Sequence, residues 1–124
     1  MILAFNRQFV EKILNGQKVH TIRQDNHNRW KPGNKIHFAT GVRTDKYNQF
    51  ASGYCKSING IFIDSKNKII MIGNDQAGWK ILDHDSALKL MQSDGFDSPD
   101  KFWQWFNKPF EGKLIWFTNV QPTQ

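Results

Sequence analysis

The sequence predicts an α+β fold, a small and mostly antiparallel β-barrel carrying three short helices. Three observations lead there. Several short stretches rich in β-branched and aromatic residues alternate apolar and polar positions, as half-buried strands do. Three other stretches have helical spacing, but none is long enough for the repeated βαβ crossovers of a parallel sheet. Ten Phe, five Trp and two Tyr in 124 residues supply the ring area for one substantial core, hence a single domain over residues 1–124.

Taken in order, Met1 to Phe5 is an apolar group that forms either a short strand or an N-terminal plug. Phe9, Val10, Ile13 and Leu14 fall on one stripe of a helix over residues 7–15, and Gly16 stands where such a helix stops. Lys18-Val-His-Thr-Ile-Arg23 alternates and is β-branched, the mark of a strand. Asp25-Asn-His-Asn28 has turn chemistry, and Trp30-Lys-Pro-Gly33 is a tight turn, with proline fixing φ ahead of glycine. Lys35-Ile-His-Phe-Ala39 is the following strand. Residues 41–50 are polar and charged, an exposed loop of the kind that holds binding residues. Ala51 to Asp64 is strand-like but punctured at Gly53 and Gly60, sites of a bulge or a close backbone approach. Asn67-Lys68 turns the chain into Ile69-Ile-Met-Ile72, giving a hairpin. Residues 86–93 form a second helix, capped by Asp83 or Asp85 and ended near Gly95. Ser98-Pro99 opens a third, with Phe102, Trp105 and Phe106 as its buried stripe and Trp103 to one side. Gly112 releases Lys113-Leu-Ile-Trp-Phe-Thr118 as the closing strand.

The net charge of +6 sits wholly in the first half. Residues 1–50 hold nine Lys or Arg against three acids, whereas residues 51–124 hold eight of each sign. Such a half-molecule attracts a polyanion. The lone Cys55 excludes an internal disulfide and a thiolate zinc cluster. The leading MILAFNRQF lacks the basic leader and length of a signal peptide. No stretch approaches the ~20 apolar residues of a membrane span. These features predict a cytoplasmic protein without membrane contact. His20, His27, His37 and His84 lack ligand-like spacing with carboxylates, so neither a metal nor a cofactor is expected.

The most informative stretch is Gly16-Gln-Lys-Val-His-Thr-Ile-Arg23, set between an amphipathic helix and the Lys31-Pro-Gly33 turn. Near the C-terminus Asp94-Gly-Phe-Asp-Ser98 precedes Phe102 and Trp105-Phe106, then a strand containing Trp116. In this order the motifs resemble the ASCH domain, a relative of the RNA-binding PUA fold; the pattern Gly-x-Lys-x-x-Thr-Ile-Arg falls on Gly16, Lys18, Thr21, Ile22 and Arg23. The resemblance implies a PUA-like barrel with a cleft beside the Lys18–Arg23 strand, and RNA or a modified nucleoside as its partner.

The residues themselves argue for a binding cleft. Thr21 and Arg23 share one face of a strand, and Arg presents a rigid fork to phosphate or carbonyl oxygens. Lys18, if desolvated, loses its proton more readily and becomes a base toward the Thr21 hydroxyl. On a straight strand Lys18 and Thr21 would point apart, so their convergence requires a turn or bulge near Val19-His20. Trp30 and Lys31 complete the candidate ligand-binding set, with Trp30 either stacking on a base or anchoring the core. Tyr47 and Phe50 are further stacking candidates. His20 is expected to pack or line the cleft edge, Trp79 and Trp103 to pack, and Cys55 to be inert.

Some relatives that this resemblance brings in deacetylate acetylcytidine with the equivalents of Lys18 and Thr21 and a helical Glu; others are described as ribonucleases. Here that Glu aligns near Gln92, whose amide cannot exchange a proton, while Asp94 is shorter and two residues away. The leading expectation is therefore an RNA- or nucleoside-binding module. Amidohydrolase activity with Lys18 and Thr21 as catalytic residues is the alternative. A protein-interaction domain, marked by an exposed apolar patch around Trp103, is the third reading.

Overall fold

A seventeen-residue strand, β4 (Asn48–Asp64), organises the computed structural model, which describes residues 1–123. Along one edge it pairs antiparallel with β7 (Phe110–Pro122), from Ala51 opposite Pro122 to Ile63 opposite Phe110. Its other edge takes two partners in turn, β3 (Lys35–Thr40) near its start and β5 (Ile69–Asn74) near its end. Three short strands extend the sheet: β1 (Ile2–Ala4) parallel to β3, β2 (His20–Arg23) antiparallel to β7, and β6 (Gly78–Ile81) antiparallel to β5. Among the described residues the result is one mixed, mostly antiparallel sheet of seven strands, with three short α-helices. The α+β class is as the sequence predicts.

The sheet is not closed into a barrel. The path β1-β3-β4-β7-β2 curls round, but among the described residues no backbone pairing joins β1 to β2. β1 spans only three residues, all paired to β3 on its other side, before the chain leaves it for a 3-10 turn (Arg7–Phe9). The seam is crossed instead by a side chain, the Arg23 guanidinium donating to the Ala4 carbonyl at 2.5 Å.

Local chemistry places the helices where the sequence signals them. The 3-10 turn runs into α1 (Val10–Leu14). Asp83 caps α2 (His84–Ser93), accepting from the Ser86 amide at 2.8 Å, and Ser98 caps α3 (Pro99–Trp105) with proline at the first helical position. Asn34 N donates to Lys31 O across the Pro-Gly turn at 3.1 Å, and Gly33 at φ +93° makes it type II. The ladder to β7 shifts register across Gly53, the expected bulge, while at Gly60 a Cβ would meet Gly73 O at 2.6 Å, the expected close approach.

Aromatic rings fill the interior in two groups: Phe5, Phe38, Phe50 and Phe117 within the curled sheet, and Phe9, Phe96, Phe102 and Phe106 beneath the helices. Two rings sit differently from expectation. Phe50 is not in an exposed loop, because β4 begins at Asn48 and carries it into the core beside Phe5 and Phe38. Trp105 is 48% exposed, touching the core only edge-on through Phe9 and Phe96. Trp79 packs its ring on Gly60, as expected, although 38% of it stays exposed, on a strand, β6, that the Gly-interrupted sequence does not announce. No helix is long and apolar enough to cross a membrane among the described residues.

Candidate functional site

The segment ahead of β2 decides where Lys18 points. β2 begins only at His20. Lys18 N donates to Lys12 O at 2.9 Å, Val19 N to Ser93 O at 2.9 Å, and Phe117 N to Val19 O at 2.9 Å. This stitching ties the chain to the ends of α1 and α2 and interrupts the strand alternation that would separate Lys18 from Thr21. Lys18, Thr21 and Arg23 therefore line one cavity of about 580 Å³, a size typical of small-molecule sites. Phe5, Phe9, Phe96 and Trp105 supply aromatic wall, and Asp94 the carboxylate.

Asp94 stands at the C-terminal end of α2 and gathers two partners. Lys18 Nζ donates to its backbone oxygen at 2.6 Å and lies 3.4 Å from Oδ1. His20 Nδ1 is 2.8 Å from the same Oδ1. Lys18, His20 and Asp94 are each at most 3% exposed. Burial pushes the Lys18 ammonium below the ordinary lysine value; the Asp94 carboxylate opposes the shift, and the Arg23 and Lys12 charges add to it. Behind the cluster the Trp116 ring meets His20 edge-on at 4.6 Å and donates through Nε1 to Asn59 Oδ1 at 2.8 Å. Gly95, at φ +96°, is needed here: a Cβ would come within 3.1 Å of both Lys18 and Phe9.

Thr21 Oγ1 accepts a long hydrogen bond from Arg23 Nε at 3.4 Å, and the guanidinium carbon lies 4.8 Å from the Phe5 ring centre. Burial lowers the proton affinity of Arg23, with Asp94 acting the other way.

Not every predicted residue joins this site. Trp30 is buried in the core and borders a separate hollow of about 330 Å³ with Gln24, Asp25, His27 and Arg29. Its role as a core anchor, rather than a stacking platform, follows from that burial. Lys31 is exposed in the type II turn, outside the cavity. Gln92 is exposed and does not line the cavity; the acid there is Asp94, passed over because helical alignment points two residues earlier. The available signal was its place between a helix end and a glycine, where the chain must turn inward. His20 reaches the site through Asp94 rather than by lining the cavity.

Tyr47 remains exposed in its loop. Trp103 is half-buried against the core with the Lys68 ammonium 4.8 Å from its ring, so it forms no open apolar patch. Burial raises the Cys55 thiol above its ordinary value. Among the described residues no three His, Cys, Asp or Glu side chains cluster as metal ligands.

A second buried carboxylate, Asp25, lies just beyond β2. It accepts from the amides of Arg29 at 2.8 Å and Trp30 at 2.9 Å and from Lys113 Nζ at 3.0 Å. Burial works against its charge, but these donors outweigh burial and hold the carboxyl below the usual range.

Compared with known proteins, the chain matches no family model, no curated protein and no solved structure.

Proposed function

We propose that the protein is an ASCH-like module of the PUA-like class whose cavity takes a nucleoside unit, as part of RNA or as a modified nucleoside. The observation that carries this reading is the convergence of Lys18, Thr21 and Arg23 on one aromatic-walled cavity. A flat base stacks on such rings with about 1–3 kcal/mol per contact, while the hydroxyl and the cations address its polar edge and sugar. The basic first half supports the same partner through long-range attraction. In this reading the path β1-β3-β4-β7-β2 is a barrel of that class left open where Arg23 crosses. A cytoplasmic location, where RNA and its breakdown products occur, belongs to the proposal.

The test is a titration of cytidine, acetylcytidine and a short single-stranded RNA, followed by tryptophan fluorescence because Trp105 borders the cavity. Saturable quenching that Thr21→Val weakens is the expected result, with RNA affinity falling as salt rises. No response to any of the three in low salt would end the reading.

One contact favours a second reading, an amidohydrolase on acetylcytidine: Asp94 beside Lys18 offers the acid that Gln92 does not. The Thr21 hydroxyl would attack the acetyl carbonyl while Lys18, its proton affinity lowered by burial, takes the hydroxyl proton. That proton then goes to the departing exocyclic amine, leaving an acetyl ester on Thr21 for water to hydrolyse. Acetate release that Lys18→Met abolishes is expected; undiminished release by that variant would remove the mechanism.

A further inference from the structure

We propose that Arg23 is the anion-binding group of this cavity and that the ligand it takes carries a phosphate ester, making it a nucleotide and not an uncharged nucleoside. The inference rests on reading the cavity as a nucleoside site and goes beyond it by fixing the charge of the ligand.

Among the described residues the cavity wall holds two cations, Lys18 and Arg23, and one carboxylate, Asp94. That carboxylate is already engaged, with Lys18 and His20 both on Oδ1. Arg23 forms no ion pair among the described residues. It is not an ordinary surface arginine either: it is half-buried, with its guanidinium against the Phe5 ring. A cation partly withdrawn from water with no carboxylate in direct contact is costly; burial is the main cause of the lowered proton affinity of Arg23, and the more distant Asp94 charge offsets only part of it. The wall thus has one positive charge in excess, and a ligand bearing a negative group supplies the missing partner.

Geometry says which group this is. A guanidinium has five N–H bonds. One goes to Thr21 Oγ1 and one to the Ala4 carbonyl, and the others have no protein acceptor among the described residues. Unspent donors in a rigid fork match the oxygens of a phosphate. Lys18 cannot serve in that way, because its ammonium is held against Asp94 by a 2.6 Å bond and is almost wholly enclosed. Arg23 stands at the open seam between β1 and β2, where the exposed side chains of Asn6 and Gln24 also border the cavity. A phosphate at this mouth leaves the aromatic wall of Phe9, Phe96 and Trp105 to the base.

Calorimetric titration of the whole protein with cytidine, cytidine 5′-monophosphate, ribose 5-phosphate and a cytidine hexanucleotide tests this. The monophosphate is expected to bind about tenfold or more tightly than cytidine, the gain from one charge-assisted contact. In Arg23→Gln that ratio should collapse toward one, whereas Arg23→Lys should keep part of it. If neither variant folds, salt gives the same reading on the unaltered protein, since the advantage of the monophosphate shrinks as salt rises. A hexanucleotide that outbinds the monophosphate would identify a strand as the source of the phosphate; a weaker one would identify the free nucleotide. Equal affinity for cytidine and its monophosphate would overturn the phosphate assignment and leave the nucleoside reading standing. Ribose 5-phosphate binding as tightly as the monophosphate, through Arg23, would keep the assignment and overturn the nucleoside reading. Failure of all four ligands to bind would overturn both.

Discussion

The two ends of β2 each carry a buried carboxylate facing a lysine, and the two pairs are built differently. Just past the strand, Asp25 receives two backbone amides in addition to Lys113, whose ammonium also donates to Asn28 Oδ1 at 2.6 Å. Just before the strand, Lys18 meets Asp94 with both side chains enclosed, and the carboxylate shares one oxygen between Lys18 and His20. Asp25 is saturated with donors and fastens the turn that leads to Trp30. The Lys18 pair has fewer donors, opens on a cavity, and leaves its lysine penalised by burial. A buried ion pair that merely holds a chain in place gathers hydrogen bonds from the backbone; one that faces a hollow with its proton loosely held is placed for binding or proton transfer.

The contrast can be broken most directly at Asp94. Asp94→Ala strands the Lys18 ammonium in an enclosed site, and a loss of about 3–5 kcal/mol is expected by urea denaturation, the usual cost of removing one partner of a buried pair. Asp25→Ala should cost less, about 1–2 kcal/mol, because the freed Arg29 amide and Lys113 can turn to water. If the two losses were equal, the distinction drawn between the pairs would be lost.

The smallest effect sharpens it through pH. Lys18 holds its proton less tightly when folded than at the ordinary value of 10.5. Between those two values the unfolded chain binds more protons than the folded one, so stability rises with pH across the window and levels off above it. The difference in stability between the native protein and Lys18→Met should therefore move in favour of the native protein as pH climbs from neutrality toward 10.5. A flat difference would show an ordinary lysine. Asp25 works at the opposite end: its carboxyl is held low, so its contribution is present at neutral pH and disappears as pH falls through the folded value.

Much of this arrangement could be read from local chemistry. The caps at Asp83 and Ser98, the Pro-Gly turn and the pairing of Thr21 with Arg23 on one strand face all depend on residues within a few positions of one another. The part that stayed hidden depends on long-range closure. Lys18 meets Asp94 only because Val19 N bonds to Ser93 O and brings two distant segments together, a pairing that no local pattern announces. The open seam was hidden for a similar reason, since nothing in Met1 to Phe5 tells how soon the chain leaves its strand. Phe50 and Trp105 exchanged their expected surroundings because hydrophobicity states a preference for burial, while the start of β4 and the facing of α3 decide which ring obtains it.

The length of β4 has a further consequence for how this chain tolerates change. One continuous strand sets the alignment of three others, so a residue inserted in its regular stretch, around Asn59, would leave the contacts of β3 intact. It would also invert every side chain beyond that point relative to β5. Ile61 and Ile63 would be thrown to the outside and Phe62 driven inward. Changes in chain length can therefore be absorbed before Asn48 and at the bulges beside Gly53 and Cys55, but not in the regular ladder from Ser57 to Ile63. A library of single-residue insertions would trace that regular ladder as a sharp interval of intolerance.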